Sequence, residues 1–414
     1  MPRSSQAETG SLLIASVSGR QLAHAARRAG FTPLVADFFA DTDTQAAAHA
    51  CRKLGGDIAN GMRRQSLLPA LRALAALAPS PILGLVYGAG FEDRPELLTL
   101  IARHWPLLGN KAATVARLKA PESFFAELDR LGIPHPATTS EPPRKGAGWL
   151  AKCKGGAGGS HIAPSRLRRD TRSIYYQQRV AGRAVSALFL ANGRRARVLG
   201  FSEQWTAPTQ RSPFRYGGAL RPASLAQSVE RQIVSAVAAI ARSFAVVGLA
   251  SADFVVNGDA ALLLEINPRP GATLDIFDSG AKPLMRLHLE AIREGRLRRS
   301  GLKFDDAMAS AIVYSPCRVC VPSGTAWPDW SADRPKPAER IDKNRPICTV
   351  LARGSKRAQA KRLVEERICR ILYGFQGVSR GENVEQKGRN RRGAAKGVAE
   401  RQRPGGAARQ SPDR

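Results

Sequence analysis

The stretch from Ala250 to Gly271 restricts the fold more than any other part of the chain. It reads Ala-Ser-Ala-Asp253-Phe-Val-Val-Asn257-Gly258-Asp-Ala-Ala-Leu-Leu-Leu-Glu265-Ile-Asn267-Pro-Arg269-Pro-Gly271. Two runs of strand-forming residues flank Asn257-Gly258, a pair that marks a β-hairpin. With a loop of Gly258-Asp259-Ala260 and Asn257 opposite Ala261, Asp253 falls directly across from Glu265. Period-two alternation then puts Asn267 on the same face, and Phe254, Val256, Leu262, Leu264 and Ile266 on the other. Two carboxylates and an amide oxygen therefore converge in an otherwise apolar hairpin. Facing carboxylates repel unless a cation lies between them, and an all-oxygen set suits magnesium, which keeps waters and substrate phosphates in its shell. The plain alternative is a hairpin whose acids face solvent, and this stretch alone leaves both open.

A second segment runs Trp149-Leu-Ala-Lys152-Cys-Lys-Gly155-Gly156-Ala-Gly158-Gly159-Ser160-His161. A strand delivers Lys152, and the glycines that follow let backbone N–H groups approach phosphate oxygens without interference from Cβ atoms. No Gly-Lys-Ser/Thr enters a helix here, so it is not a P-loop. A glycine-rich hairpin tip is the structural alternative, and a packed or solvent-facing His161 is the alternative to a phosphate contact.

The first hundred residues alternate strand and helix. Ser11 to Val17, Pro33 to Asp37 and Ile82 to Tyr87 read as strands, and Arg20 to Ala29 and Gln65 to Leu77 as helices, which is an open parallel α/β unit. The turn Ser16-Val-Ser-Gly-Arg20 lacks the GxGxxG fingerprint, so Asp37 at the second strand end is not read as a ribose ligand of a dinucleotide. Helices are expected from Lys111 to Leu131, broken at Pro121, and from Leu225 to Phe244. Strands are expected at Ile174 to Gln178, Ala184 to Leu190, Arg195 to Phe201, Ala311 to Tyr314 and Ile347 to Ala352, with a helix from Ala358 onward.

The net charge of +30 invites a nucleic-acid reading, but the basic residues are spread along the chain without interleaved aromatics. The segment from Gly374 to Arg414, rich in Arg, Gly, Gln and Ala, cannot bury enough surface to fold and reads as a disordered basic tail. No apolar run reaches the ~20 residues of a membrane span. Met1 to Gly10 is polar, without the pattern of a signal peptide, so a cytoplasmic enzyme is expected. Cys317 and Cys320 form a lone CxxC, half a zinc site at most, and read as structural thiols.

Taken in order, Asn110-Lys111, Lys152 with its glycine run, and Asp253…Glu265-x-Asn267-x-Arg269 resemble the ATP-grasp superfamily over about residues 11 to 373. Within it the chain looks closest to the ATP-dependent carboligases that are distantly similar to biotin carboxylase and to carboxylate–amine ligases. The resemblance implies a Rossmann-like pre-ATP-grasp α/β domain at residues 11–109 after a disordered N-terminus (1–10). A two-lobed α+β ATP-grasp domain at 110–300, a closing segment at 301–373 and the basic tail at 374–414 would follow. It also implies that Lys111 and Lys152 neutralise ATP phosphates over the loop Gly155, Gly156, Gly158, Gly159, Ser160 and His161. One or two magnesium ions, with manganese as a substitute, would sit on Asp253, Glu265 and Asn267. Arg269 would face the reacting group, assisted by Lys152 and by Arg215.

The chain also departs from the family. Its adenine hinge reads Tyr175-Tyr-Gln177-Gln178-Arg-Val180, where backbone groups and the glutamines would hold the base. Ala184 stands where a ribose-holding glutamate is common, and Ser251 where some ligases carry arginine. The activity implied is an ATP-dependent ligase that activates a carboxylate as an acyl phosphate and joins it to an amine, with cofactor assembly as a suggested setting. Its partners would be small-molecule carboxylates and amines, with no membrane; a homodimer is compatible. Two alternatives remain: a non-catalytic ATP-binding regulatory module, and a nucleic-acid-binding protein that uses its tail.

Overall fold

The computed structural model describes residues 9–56, 61–144, 147–156, 158–165, 174–278, 281, 283–297 and 304–375. The disordered N-terminus and basic tail read from the sequence fall almost wholly on residues 1–8 and 376–414, outside the described residues.

The N-terminal part is a four-stranded parallel sheet in the order Ala50–Lys53, Thr32–Asp37, Ser11–Ala15, Ile82–Tyr87. Ser11–Ala15 is buried at every position, as expected of a strand covered on both faces. The helix Arg20–Arg28 follows it, carries Arg27 and Arg28 in its last turn, where the helix dipole favours cations, and gives way to Gly30 at φ +82°. Asp37 serves its own turn: its carboxylate accepts the N–H groups of Gly19 at 2.8 Å and Ala40 at 2.7 Å.

Two antiparallel sheets follow. The smaller has the order Thr138–Thr139, Ile174–Gln178, Trp149–Cys153, Ile162–Pro164. The larger runs Ala260–Asn267, Val247–Asn257, Arg183–Asn192, Ala196–Thr206, Tyr216–Arg221, Ala307–Tyr314, Pro346–Gly354, Ser331–Ala332. The helix Gln227–Ser243 lays Val229, Ile233, Val237 and Ile240 on one face of this sheet, against Phe189, Phe254 and Ile266. Those residues recur every three or four positions, the spacing of an amphipathic helix. On the other face, Leu188, Leu190 and Leu249 share one core with Phe277, Leu284 and the N-terminal Leu12, Ile14 and Leu22. A helix at 357–375 closes the described chain.

Buried polar ties fix the N-terminal part against the larger sheet. Arg20, 3% exposed, bonds both Asp275 and Asp333. His288, 1% exposed, accepts the Leu249 N–H at Nδ1 and lies 3.0 Å from the Leu108 carbonyl through Nε2.

The hairpin carries a correction. Asn257 pairs with Ala260, not Ala261, so the turn is the two residues Gly258 and Asp259. A β-bulge between Asp253 and Phe254 absorbs the difference and restores Asp253 opposite Glu265. Between turn and bulge the faces of the second strand alone are exchanged by the one-residue slip, while Phe254 and Val256 keep the core face. Ala261 and Leu263 are buried in the core in place of Leu262 and Leu264.

Candidate functional site

The end of the hairpin meets the smaller sheet and the helices Ala112–Lys119 and Pro121–Arg130 at an open cleft with about 340 Å³ of empty space. Leu118, Phe124, Phe125, Tyr175 and Leu264 make its apolar wall, and Lys119, His161, Glu265, Gly155 and Gly156 its polar one. An apolar body with a few converging polar groups is the usual make-up of a small-molecule site.

A hydrogen-bonded cluster closes one end. Ser186 Oγ donates to Asp253 Oδ1 at 2.6 Å, and Asn267 Nδ2 donates to Asp253 Oδ2 at 2.9 Å. Lys119 Nζ donates to Glu265 Oε2 at 3.0 Å and to Asn267 Oδ1 at 3.3 Å. The strand register sets this row, since Glu265, Asp253 and Ser186 are direct neighbours across three strands. Burial and the facing Glu265 push the Asp253 carboxyl up. Burial opposes the charge on Glu265 too, but Lys119, Lys152 and His161 outweigh it and hold that carboxyl down.

Lys152 is 3% exposed, and its Nζ lies 3.2 Å from Gln177 Oε1 and over the Tyr175 ring. Burial lowers its pKa, against the pull of Glu265 and Asp253. The glycine loop returns over the cleft. Gly159 sits at φ +72° with its Cα against the Phe214 carbonyl, where no larger residue fits, and the Tyr216 N–H donates to Gly158 O at 3.0 Å. The His161 ring packs on Gly156, and Ser160 is exposed.

The other residues singled out in the sequence are placed as follows. Gln177 turns inward to Lys152 and Thr138, whereas Gln178 is exposed and Val180 half-buried. Arg269 lies beside the cluster with its Nε 2.8 Å from Glu92. Arg215 is not joined to the cluster: it donates to the Ala207 and Asn344 carbonyls and stacks on Tyr314, 3.5 Å from the ring centroid. Lys111 is exposed and follows Asn110, whose Nδ2 donates to the Pro268 carbonyl at 2.8 Å, between Asn267 and Arg269. Lys111 holds the N-cap position of the helix Ala112–Lys119, roughly 12 Å along the axis from Lys119, whose Nζ reaches Glu265. Sequence reasoning missed Lys119 and Glu92. Each meets its partner across more than a hundred residues of chain, and a lysine in the last turn of a helix otherwise reads as a dipole complement.

Among the described residues no three His, Cys, Asp or Glu side chains converge as a metal site. Two carboxylates and an amide do, a donor set that fits magnesium shared with phosphate oxygens better than a metal caged by protein alone. Cys317 and Cys320 are free thiols. No described helix is long and apolar enough to cross a membrane.

A parallel α/β unit, then two antiparallel sheets enclosing a glycine loop, buried lysines and a carboxylate pair, is the ATP-grasp architecture. Residues 122–273 match the ATP-grasp domain family, so the chain carries an ATP-grasp domain over that stretch. Solved structures agree at the level of the fold. An L-amino acid ligase from Bacillus licheniformis is similar at 14% identity and a TM-score of 0.63, over 86% of this chain and 96% of that one. The biotin carboxylase of Campylobacter jejuni, solved as a beta-gamma-ATP complex, gives 14% and 0.62 over 86% and 90%. The N5-carboxyaminoimidazole synthetase of Staphylococcus aureus, complexed with ADP, gives 13% and 0.61 over 87% and 97%.

Proposed function

We propose that this protein is an ATP-dependent ligase that activates a small-molecule carboxylate as an acyl phosphate and passes the acyl group to an amine. The observation that carries the reading is the cluster of Asp253, Glu265, Asn267 and Lys119 at the polar end of the cleft. The phosphates of ATP lie against Lys152, the backbone N–H groups of Gly155, Gly156 and Gly158 to His161, and Lys119, which takes the part that the family resemblance gave to Lys111. Asp253, Glu265 and Asn267 would hold magnesium, which would neutralise phosphate charge when bound. The base lies toward the hinge strand that ends at Gln178.

The protein's own work is positioning and charge stabilisation, as in other phosphoryl transfers. A carboxylate oxygen of the substrate attacks the γ-phosphorus and ADP departs. Arg269, at the end of the hairpin that bears the acids, faces the transferring group. The amine then attacks the acyl carbon, phosphate leaves, and the amine gives up its proton. The cleft's apolar wall limits water, which would otherwise hydrolyse the acyl phosphate.

The test is product analysis in a screen of carboxylate and amine pairs. ADP and inorganic phosphate are expected, with ¹⁸O passing from labelled carboxylate into the phosphate. AMP and pyrophosphate as stoichiometric products would replace this mechanism with adenylation.

A further inference from the structure

The turn after the strand Ile82–Tyr87 belongs to the N-terminal part of the chain and takes no part in the reaction drawn above. It nevertheless brings a buried carboxylate to the edge of the cleft. Glu92 Oε2 accepts the backbone N–H groups of Gly90 at 2.7 Å and Phe91 at 3.0 Å. Its Oε1 accepts Arg269 Nε at 2.8 Å, and the two side chains are only 3% and 10% exposed. Burial opposes the charge on Glu92, but Arg269 and Lys119 outweigh it and keep the carboxyl below its ordinary range. Three donors on two oxygens leave this carboxylate committed to holding its neighbours.

The same turn also receives the glycine loop. Gly155 lies so close that a Cβ there would come 2.6 Å from Asp93 Cα and 2.8 Å from the Glu92 carbonyl oxygen. One short segment of the N-terminal part thus touches both the loop that covers the phosphates and the arginine that faces them. Arg269 itself sits between Pro268 and Pro270, on irregular chain just past the strand, where the backbone alone does not select a rotamer for a long side chain.

We propose that Glu92 is a positioning residue that holds the Arg269 guanidinium toward the transferring phosphoryl group once the N-terminal part and the glycine loop are seated together. The proposal rests on the nucleotide site described under the proposed function. Glu92 does not touch the reacting atoms. It acts through Arg269, so its removal lowers stabilisation of the transition state and leaves ground-state nucleotide binding nearly unchanged.

The experiment titrates MgADP, with and without aluminium fluoride, into the full chain. Fluoroaluminate mimics the planar phosphoryl group in flight, so no carboxylate substrate is needed. Wild type is expected to bind MgADP more tightly when fluoroaluminate is present. Glu92→Gln should keep the affinity for MgADP within about twofold and lose about ten- to a hundredfold of the fluoroaluminate gain, the range of a hydrogen bond to a charged group. Arg269→Ala should lose the same gain, and the double variant no more than either alone. Glu92→Asp, which keeps the charge but withdraws it by one methylene, should recover part of it, and it carries the comparison alone if E92Q does not fold. An equal gain in wild type and the folded Glu92 variant overturns the positioning role and leaves nucleotide binding intact. A wild type that does not bind MgADP overturns the site on which the proposal rests.

Discussion

Lys119→Met removes one charge from the cluster and keeps the length of the side chain. In the structure Lys119 Nζ lies 3.0 Å from Glu265 and 3.3 Å from Asn267, with the side chain 7% exposed, so solvent screens it little. A charge-assisted hydrogen bond in such a setting contributes about 1.5–3 kcal/mol, which corresponds to about ten- to a hundredfold in affinity. With nucleotide bound the same ammonium would pair with a phosphate oxygen, so that loss is expected in the dissociation constant of MgADP measured by titration calorimetry. Melting should change less, because Glu265 keeps Lys152 and His161 nearby. Lys111→Met is the matched control, exposed and roughly 12 Å away along the same helix, and should leave affinity within about twofold. If the two variants exchanged their effects, the resemblance-based reading of Lys111 would stand and the geometric reading of Lys119 would fall.

Glu265→Gln is nearly isosteric; circular dichroism and the melting temperature should match wild type while ADP release stops, and unchanged turnover would take Glu265 out of the metal shell. Arg20→Met leaves the buried Asp275 and the half-buried Asp333 without their cation; urea titration should show about 3–5 kcal/mol of lost stability, and a loss below about 1 kcal/mol would mean the tie contributes little. Burial pushes the His288 imidazole down to about 4, whereas the unfolded chain titrates near 6.5. The unfolded state therefore takes up the proton first on acidification, and about 3 kcal/mol of stability present above pH ~6.5 should drain away as pH falls toward ~4. His288→Gln should flatten that slope in denaturant titrations, and an unchanged slope would assign the acid sensitivity to other groups.

The parts of the fold that could be read from sequence are those where local pattern and tertiary environment agree. Ser11–Ala15 and Ile82–Tyr87 are short, mainly apolar runs between turn residues, and both are strands of the parallel sheet. The helix Gln227–Ser243 announces its buried face by spacing alone. The hairpin was half legible. Asn257-Gly258 marked the turn, and Asp253 does face Glu265, but the loop is one residue shorter and a bulge makes up the difference. Strand propensity says nothing about bulges, so Leu262 and Leu264 were assigned to the wrong face. Short elements such as Thr42–Ala47 and Ala50–Lys53 carry too few residues to display a period.

Within the site, residues on one continuous segment were readable and those that arrive from elsewhere were not. Asp253, Glu265 and Asn267 share a hairpin, and Lys152 precedes its glycine loop directly. Lys119 and Glu92 reach the same place from another helix and another part of the molecule. Arg215, expected from the resemblance to assist Arg269, instead meets Asn344 and Tyr314, which the last part of the fold supplies.

Anomalous diffraction from crystals of the full chain grown with manganese and ADP would test the nucleotide site most directly. The expected result is a manganese peak bounded by the carboxylates of Asp253 and Glu265, with the ADP phosphates between Lys119 and Lys152 under the glycine loop. A peak elsewhere, or a cleft that stays empty of nucleotide at saturating concentration, would contradict it.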